Sequence, residues 1–373
     1  APMSIVPIRL TLLPNTRARG WAREPDREGV IRMHRSGQKR RRVRQWLCVF
    51  AFMASVVTGG VAGAVPEVPT VQTPYGLLQG RRAAGVDSFK GIPYAAPPIG
   101  SLRWRPPQPL PKTSEPVRID AGAFGPACPQ IARMAARDIS TSENCLSLNI
   151  WRPSERRDGP LTVMVWVHGG AVIGGWSAEP LYDGTRLAQK GVIVVSFNYR
   201  LGRLGFFAHP ALAAVRPKGE AQANYGFMDQ IAALGWVRDN IARFGGDPAH
   251  VTLFGQSAGG ASVNFLTVMQ PARGLFARAI SQSGFPRWAG RPLTQGAAPA
   301  DAIGVEYAHR HGSDGVSTGQ AAAPRALPVP AMTEEDPPED LDRTTPMPIA
   351  EGQLLAAPLP TLPALRTTLP APL

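Results

Sequence analysis

Two stretches of the chain are apolar almost without a break: "LTVMVWVH" (161–168) and "VIVVSFNY" (192–199). Both are rich in β-branched residues and show no in–out alternation. That is how strands buried on both faces of a largely parallel sheet read. The period then changes. "YGFMDQIAALGWVRDNIARF" (225–244) puts Phe227, Ile231, Leu234 and Ile241 at helical spacing, and Gly245-Gly246 with Pro248 ends that helix. "VTLF" (251–254) predicts a short buried strand, "AGGASVNFLTVM" (258–269) a helix, and "ARAISQSG" (277–284) a further strand with its turn. Strands alternating with helices imply βαβ units and an α/β domain. Residues 321–373 depart from this pattern. They hold twelve prolines and few aromatic side chains, and predict extended or irregular chain with no helix after about His311.

A third apolar run, "WLCVFAFMASVVTGGVAGA" (46–64), follows the basic cluster "KRRRVR" (39–44) and ends in Ala62-Gly63-Ala64. A basic start, an apolar middle and small residues at the end predict a secretory signal over 33–64, opening at Met33. Residues 1–32 then lie upstream of it. Gly, Ala and Thr in the second half of the run favour cleavage over anchoring, so no stable membrane insertion is expected afterwards. The signal changes the meaning of the charge. A formal net charge of +13 on 373 residues points by itself to nucleic acid or an anionic surface. Twelve Arg and Lys against three acids fall within residues 1–64, which leaves +4 for 65–373. No nucleic-acid motif occurs in that mildly basic body, so no nucleic-acid partner is expected.

The signal also sorts the cysteines. Cys48 leaves with it. Cys128 and Cys145 remain, an even pair in an exported chain, which favours a disulfide over two free thiols. Closing that 17-residue loop contributes about 3 kcal/mol in the chain-entropy model. Neither cysteine sits in a metal-ligand spacing.

Candidate chemistry centres on "FGQSAGG" (254–260). A G-x-S-x-G turn with a strand before it and a helix after it forms a nucleophile elbow, and here "VTLF" enters and "AGGASVNFL" leaves. Bulky side chains two residues either side of the serine would clash, and Gly255 and Gly259 remove them. The helix N-terminus favours negative charge developing near the Ser257 hydroxyl. Oxyanion donors are expected from the backbone N–H of Ala258 and from the loop "WVHGGAVIGG" (166–175), where Gly170 and Ala171 allow close approach of backbone to substrate. His168 in that loop reads as structural, not as a base.

With these residues in place the chain resembles the type-B carboxylesterases, the α/β-hydrolase family that includes bacterial carboxylesterases and the cholinesterases. The matching stretches run in family order: "FKGIPYAAPPIGSLRWRPPQP" (89–109), "SENCLSLNIW" (142–151), "VHGGAVIGG" (167–175), "FNYRLGRLGF" (197–206), "NYGFMDQIAALGWV" (224–237), "FGGDPAHVTLFGQSAGG" (244–260) and "AISQSG" (279–284). They cover residues 66–285 densely and "DAIGVEYAHRHG" (301–312) more loosely. The resemblance implies an α/β-hydrolase domain over 65–320, with 321–373 a Pro-rich, irregular part of it. It implies Ser257 as nucleophile, an oxyanion hole of Gly170, Ala171 and Ala258, a Cys128–Cys145 disulfide, and a buried Arg103–Glu143 ion pair near it. It implies hydrolysis of small-molecule carboxylic esters through an acyl-enzyme, and nothing in the sequence calls for a metal or organic cofactor. A non-catalytic binding or adhesion relative of the same fold is the alternative. The retained Ser257 and "HGGA" loop weigh against it.

Two departures from the family pattern follow. Gln256 stands where the family commonly has Glu, which removes a negative charge beside the serine and predicts tuned activity. More seriously, α/β hydrolases order their triad Ser, then Asp or Glu, then His. The family's "N-x-D-E-G"-like acid loop and "G-x-x-H" base loop do not occur here, and "PMPIAEGQLLAAPLP" (346–360) resembles the segment shortly before the acid. After Ser257 the histidines are His309 and His311, ahead of where the acid belongs, and Asp301, Glu306, Asp314 and Glu351 sit in no expected motif. The triad acid and base are therefore not found, and the sequence reads as a fragment or frame-disrupted form of a secreted carboxylesterase.

Overall fold

The two unbroken apolar runs become neighbouring strands in the middle of a seven-stranded sheet. The computed structural model describes residues 68–113, 117–134, 139–155, 158–284, 290–313, 321–336, 346–352 and 354. Its strands are, in chain order, β1 (Thr70–Thr73), β2 (Gly76–Gln79), β3 (Arg81–Ala83), β4 (Val86–Pro93), β5 (Arg118–Asp120) and β6 (Ser147–Pro153). There follow β7 (Leu161–Val167), β8 (Ile193–Phe197), β9 (Gly246–Gln256), β10 (Arg278–Gln282), β11 (Arg291–Pro292) and β12 (Ile349–Ala350). The large sheet has the order β10-β9-β7-β8-β6-β4-β3. Strands β10, β9, β7 and β8 run parallel, whereas β6, β4 and β3 pair antiparallel. A small sheet, β1-β2-β5, and a two-stranded one, β11-β12, accompany it.

Burial follows the reading of the runs. Val163, Val165, Val167, Ile193, Val195 and Phe197 are fully buried on one face, and Val194 and Trp166 are buried on the other. Each such side chain contributes about 1.5–3 kcal/mol relative to exposure. The helix Tyr225–Asn240 packs Phe227, Leu234 and Val237 into the same core, as the helix Ala258–Val268 does Val263, Phe265 and Leu266.

Three boundaries differ from expectation. The first helix ends at Asn240 and tightens into a 3₁₀ turn, Ile241–Phe244, before Gly245 at φ +84° reverses the chain. Strand β9 starts at Gly246, not at residue 251, because residues 246–250 continue alongside β7 through a bulge between Leu161 and Val163. The Pro-rich segment holds two one-turn helices, Ala322–Arg325 and Val329–Thr333, where none was expected. A long-range contact explains the first: the Arg103 guanidinium donates to the carbonyls of Arg325, its last residue, and Leu327, just past its end. The expected signal at 33–64 and the upstream residues 1–32 lie outside the described residues. Among those described, no helix is long and apolar enough to cross a membrane.

Candidate active site

From β7 the chain moves to β8 on one side and later returns to β9 on the other. Where parallel strands reverse their order in this way, the loops at their carboxyl ends part and leave a crevice. Val167 of β7 pairs with Gly255 of β9, so the segments after each strand, 168–175 and 257–258, meet at one end of the sheet.

Ser257 occupies the junction between β9 and the helix Ala258–Val268, at φ +55° and ψ −124°. A non-glycine residue there carries about 1–3 kcal/mol of backbone strain, held by its surroundings. Its N–H donates to the Gln282 carbonyl at the end of β10 (2.9 Å), and its carbonyl accepts from Ala261 N–H (2.8 Å). The flanking glycines are required by close approach. A β-carbon on Gly259 would fall 2.1 Å from the Val167 carbonyl oxygen, and one on Gly255 would fall 2.6 Å from the Gly259 carbonyl.

The facing loop is equally tight. Gly170, Ala171 and Val172 all have positive φ (104°, 53° and 56°). This turns the chain back so that Ile173 and Gly174 both donate to the Gly170 carbonyl (3.0 Å each). Gly169 lies against the serine, since a β-carbon there would sit 3.2 Å from Ser257 Cβ and 3.3 Å from Gln256 Oε1. The backbone N–H groups of Gly170, Ala171 and Ala258 donate to none of the described residues, nor does the Ser257 hydroxyl. His168 underlies the loop. Its buried ring stacks on Tyr199 (4.4 Å), whose hydroxyl donates to the His168 carbonyl (2.9 Å), and its Nδ1–H donates to the Gly169 carbonyl (2.8 Å). Burial lowers its pKa to about 4, against a small opposing effect of the Gly169 bond, so the ring is neutral at pH 7.

A model of the carboxylesterase family matches residues 67–318. The chain belongs to the carboxylesterase family. Within it, the chain is similar to fumonisin B1 esterase of Sphingopyxis macrogoltabida, 46% identical over 237 residues that make up 63% of this chain and 43% of that protein. It is 47% identical to para-nitrobenzyl esterase of Bacillus subtilis (strain 168) over 223 residues, 58% of this chain and 44% of that one. Liver carboxylesterase 1 of Oryctolagus cuniculus is 40% identical over 259 residues, 64% and 44% of the two chains. A solved structure of PNB esterase superposes with a TM-score of 0.67 at 36% identity, covering 79% of this chain and 60% of that one. The chain thus spans less than half the length of the curated carboxylesterases it matches.

The early disulfide of the family resemblance is present: Cys128 and Cys145 are bonded, with Cα atoms 5.0 Å apart. The Arg103–Glu143 pair is bidentate, at 2.7 and 2.6 Å, and both partners are largely buried. The histidines sit elsewhere. His250 pairs with Asp247 (2.6 Å) near the start of β9, seven residues and roughly 20 Å along the strand from Ser257. His209 caps the short helix Pro210–Ala214. His311 has Nδ1 against the Tyr307 carbonyl and Nε2 against Glu334 (2.6 Å), so both ring nitrogens are engaged. His309, Asp301 and Glu306 belong to the helix Ala300–Arg310. Glu351 accepts from Leu354 N–H and Asn224, and Asp314 lies outside the described residues. Among the charged pairs not anticipated from sequence, one is the most deeply buried. Arg200, just past β8, holds Asp229 bidentately (2.8 and 2.7 Å), both fully buried. Burial raises the Asp229 pKa, and Arg200 opposes the rise. Nothing but the occurrence of both residues within family-matching stretches could have signalled it, because 29 residues separate them.

Proposed function

We propose that this chain carries the nucleophile and oxyanion hole of a serine esterase, with Ser257 as nucleophile and the N–H groups of Gly170, Ala171 and Ala258 as oxyanion donors. The observation that carries this is the strained Ser257 turn, opening a helix beside three backbone donors that bond to none of the described residues. In the reaction the Ser257 oxygen adds to the ester carbonyl, and the oxyanion takes hydrogen bonds from the three donors. The C–O bond to the alcohol then breaks, the alcohol leaves carrying a proton, and acyl-Ser257 remains. Water adds to the acyl carbon, and the acid departs as the serine regains its proton. The proton transfers need a base and an orienting acid, and no described histidine is bonded to Ser257. The relatives named above are called esterases, which supports the ester class.

An activated ester eases the first half, because nitrophenolate leaves without a proton and bulk water can take the proton that Ser257 loses on attack, whereas deacylation must still activate water against a stable acetyl-serine. With p-nitrophenyl acetate, intact-mass spectrometry should find one acetyl group accumulating on the peptide bearing Ser257. Turnover should be feeble and should change little in Ser257→Ala. Acetylation that persists in Ser257→Ala would overturn the assignment; rapid turnover abolished by Ser257→Ala would show that a histidine of this chain serves as base.

The same proposal includes export, with residues 33–64 as a cleaved signal, 65–320 as the hydrolase domain and 321–373 as its irregular continuation. The Cys128–Cys145 disulfide supports an oxidising compartment. Edman sequencing of exported protein should begin near Val65-Pro66, whereas a mature chain retaining Trp46–Ala64 would show an anchor.

A further inference from the structure

The geometry points to Gln130 as a positioning residue for the oxyanion loop; this rests on the esterase reading above. Gln130 lies two residues after Cys128 and is buried. Its side-chain amide grips the backbone of Gly175 from both sides: Gly175 N–H donates to Oε1 (2.8 Å), and Nε2 donates to the Gly175 carbonyl (3.1 Å). Nε2 also donates to the Cys128 carbonyl (3.1 Å), which ties the amide to the disulfide. Among the described residues, the one other side chain that hydrogen-bonds the backbone of residues 169–175 is that of His168, which immediately precedes them.

What Gly175 touches makes this grip matter. At φ +112° its α-carbon is pressed against His168 and Gly169: a β-carbon would fall 2.4 Å from His168 Nδ1 and 2.6 Å from the Gly169 carbonyl oxygen. Next to it, the Gly174 carbonyl lies where a β-carbon on Gly170 would be, at 2.1 Å. Residues 169–170 and 174–175 are thus two sides of one closed turn, with Gly170 and Ala171 N–H at its tip. Fixing Gly175 fixes the far side, and the close packing transmits that constraint to the donors. The disulfide places Gln130 in turn, because Cys145 immediately precedes the Leu146–Ser147 entry to β6. Gln130 touches no reacting atom, so its effect is on the placement of the donors. Misplacing catalytic groups by about 1 Å costs on the order of a hundredfold in rate.

The test uses the full chain and three readouts. Acetylation of Ser257 by p-nitrophenyl acetate, followed by mass spectrometry, should be about ten- to a hundredfold slower at saturation in Gln130→Ala, with the half-saturating ester concentration little changed. Amide exchange over 169–175 should quicken in that variant while exchange in β7 does not. Gln130→Glu keeps the acceptor for Gly175 N–H but, when ionised, sets a negative oxygen against the carbonyls of Gly175 and Cys128. Its acetylation rate relative to wild type should therefore recover as the pH falls and protonation restores a donor. Wild-type rate and wild-type exchange in Gln130→Ala would overturn the inference, as would a Gln130→Glu deficit independent of pH. If wild type forms no Ser257 adduct, the esterase reading fails, and the exchange measurement alone decides whether Gln130 holds the loop.

Discussion

His168 stands in the loop where a base is tempting, yet its surroundings disable it as one. Its Nδ1–H is spent on Gly169, its Nε2 is buried with no hydrogen-bond partner among the described residues, and burial keeps the ring neutral down to about pH 4. The consequence is a pH dependence of stability. In the unfolded chain the ring takes a proton below about pH 6.5, while the folded site refuses it until about pH 4. Its contribution is therefore whole above pH 6.5 and is lost as the pH falls through that window, at about 1.4 kcal/mol per pH unit. Roughly 2 kcal/mol should be gone at pH 5. Urea midpoints at pH 7 and pH 5 should show this loss, and His168→Gln, which keeps a donor for Gly169, should lose less between the same two conditions. Equal losses in the two proteins would mean that the ring is not held neutral. The residue's inert character was legible from the "HGG" setting; its stacking partner, Tyr199, was not, because 31 residues and a strand crossover separate them.

At the scale of elements, what the sequence made plain was what local pattern determines. Short, unbroken, β-branched apolar runs read as buried strands, and β7 and β8 are. The helix Tyr225–Asn240 kept its spacing, and its end came within a turn of Gly245 because only glycine or asparagine takes φ +84° at little cost. Long-range partners escaped. The one-turn helix at Ala322–Arg325 has no side-chain cap to announce it, sits among prolines, and is held from 222 residues away by Arg103. Gln130 looks like any polar residue in a loop until Gly175 is seen beside it. The elbow was legible because its glycines answer a steric demand of the motif, and that demand can be measured. Gly259→Ala should force a methyl into the Val167 carbonyl, an overpacking that costs about 1–3 kcal/mol. A calorimetric scan should show a melting temperature lower by several degrees, together with loss of Ser257 acetylation. A variant that melts with wild type would show that the strand and helix approach less closely than described.

For the molecule as a whole, a covalent link and an ionic one stand out among the described contacts between separate segments. The disulfide closes the segment between residues 128 and 145, and Arg103 bridges Glu143 to the carbonyls of Arg325 and Leu327. The two edges of the large sheet are finished differently. At one end β3 is three residues long and carries Arg81 and Arg82, a short charged edge that discourages further pairing. At the other end every residue of β10 is exposed, Ile280 among them, and no described strand pairs with its outer side. Parallel strands ordinarily lie under cover on both faces. Such an edge is a template for whatever extended chain it meets, and in a concentrated solution of the purified protein that is another copy. Scattering should therefore rise with concentration, and Ile280→Lys, a change at an already exposed position, should suppress it without lowering the melting temperature; scattering unaltered by the lysine would place the adhesive surface elsewhere. Because Gln282 at the end of this strand holds the Ser257 N–H, clumping along β10 would take the Ser257 turn with it, and the colloidal history of a preparation would be written into the proposed acetylation of that serine.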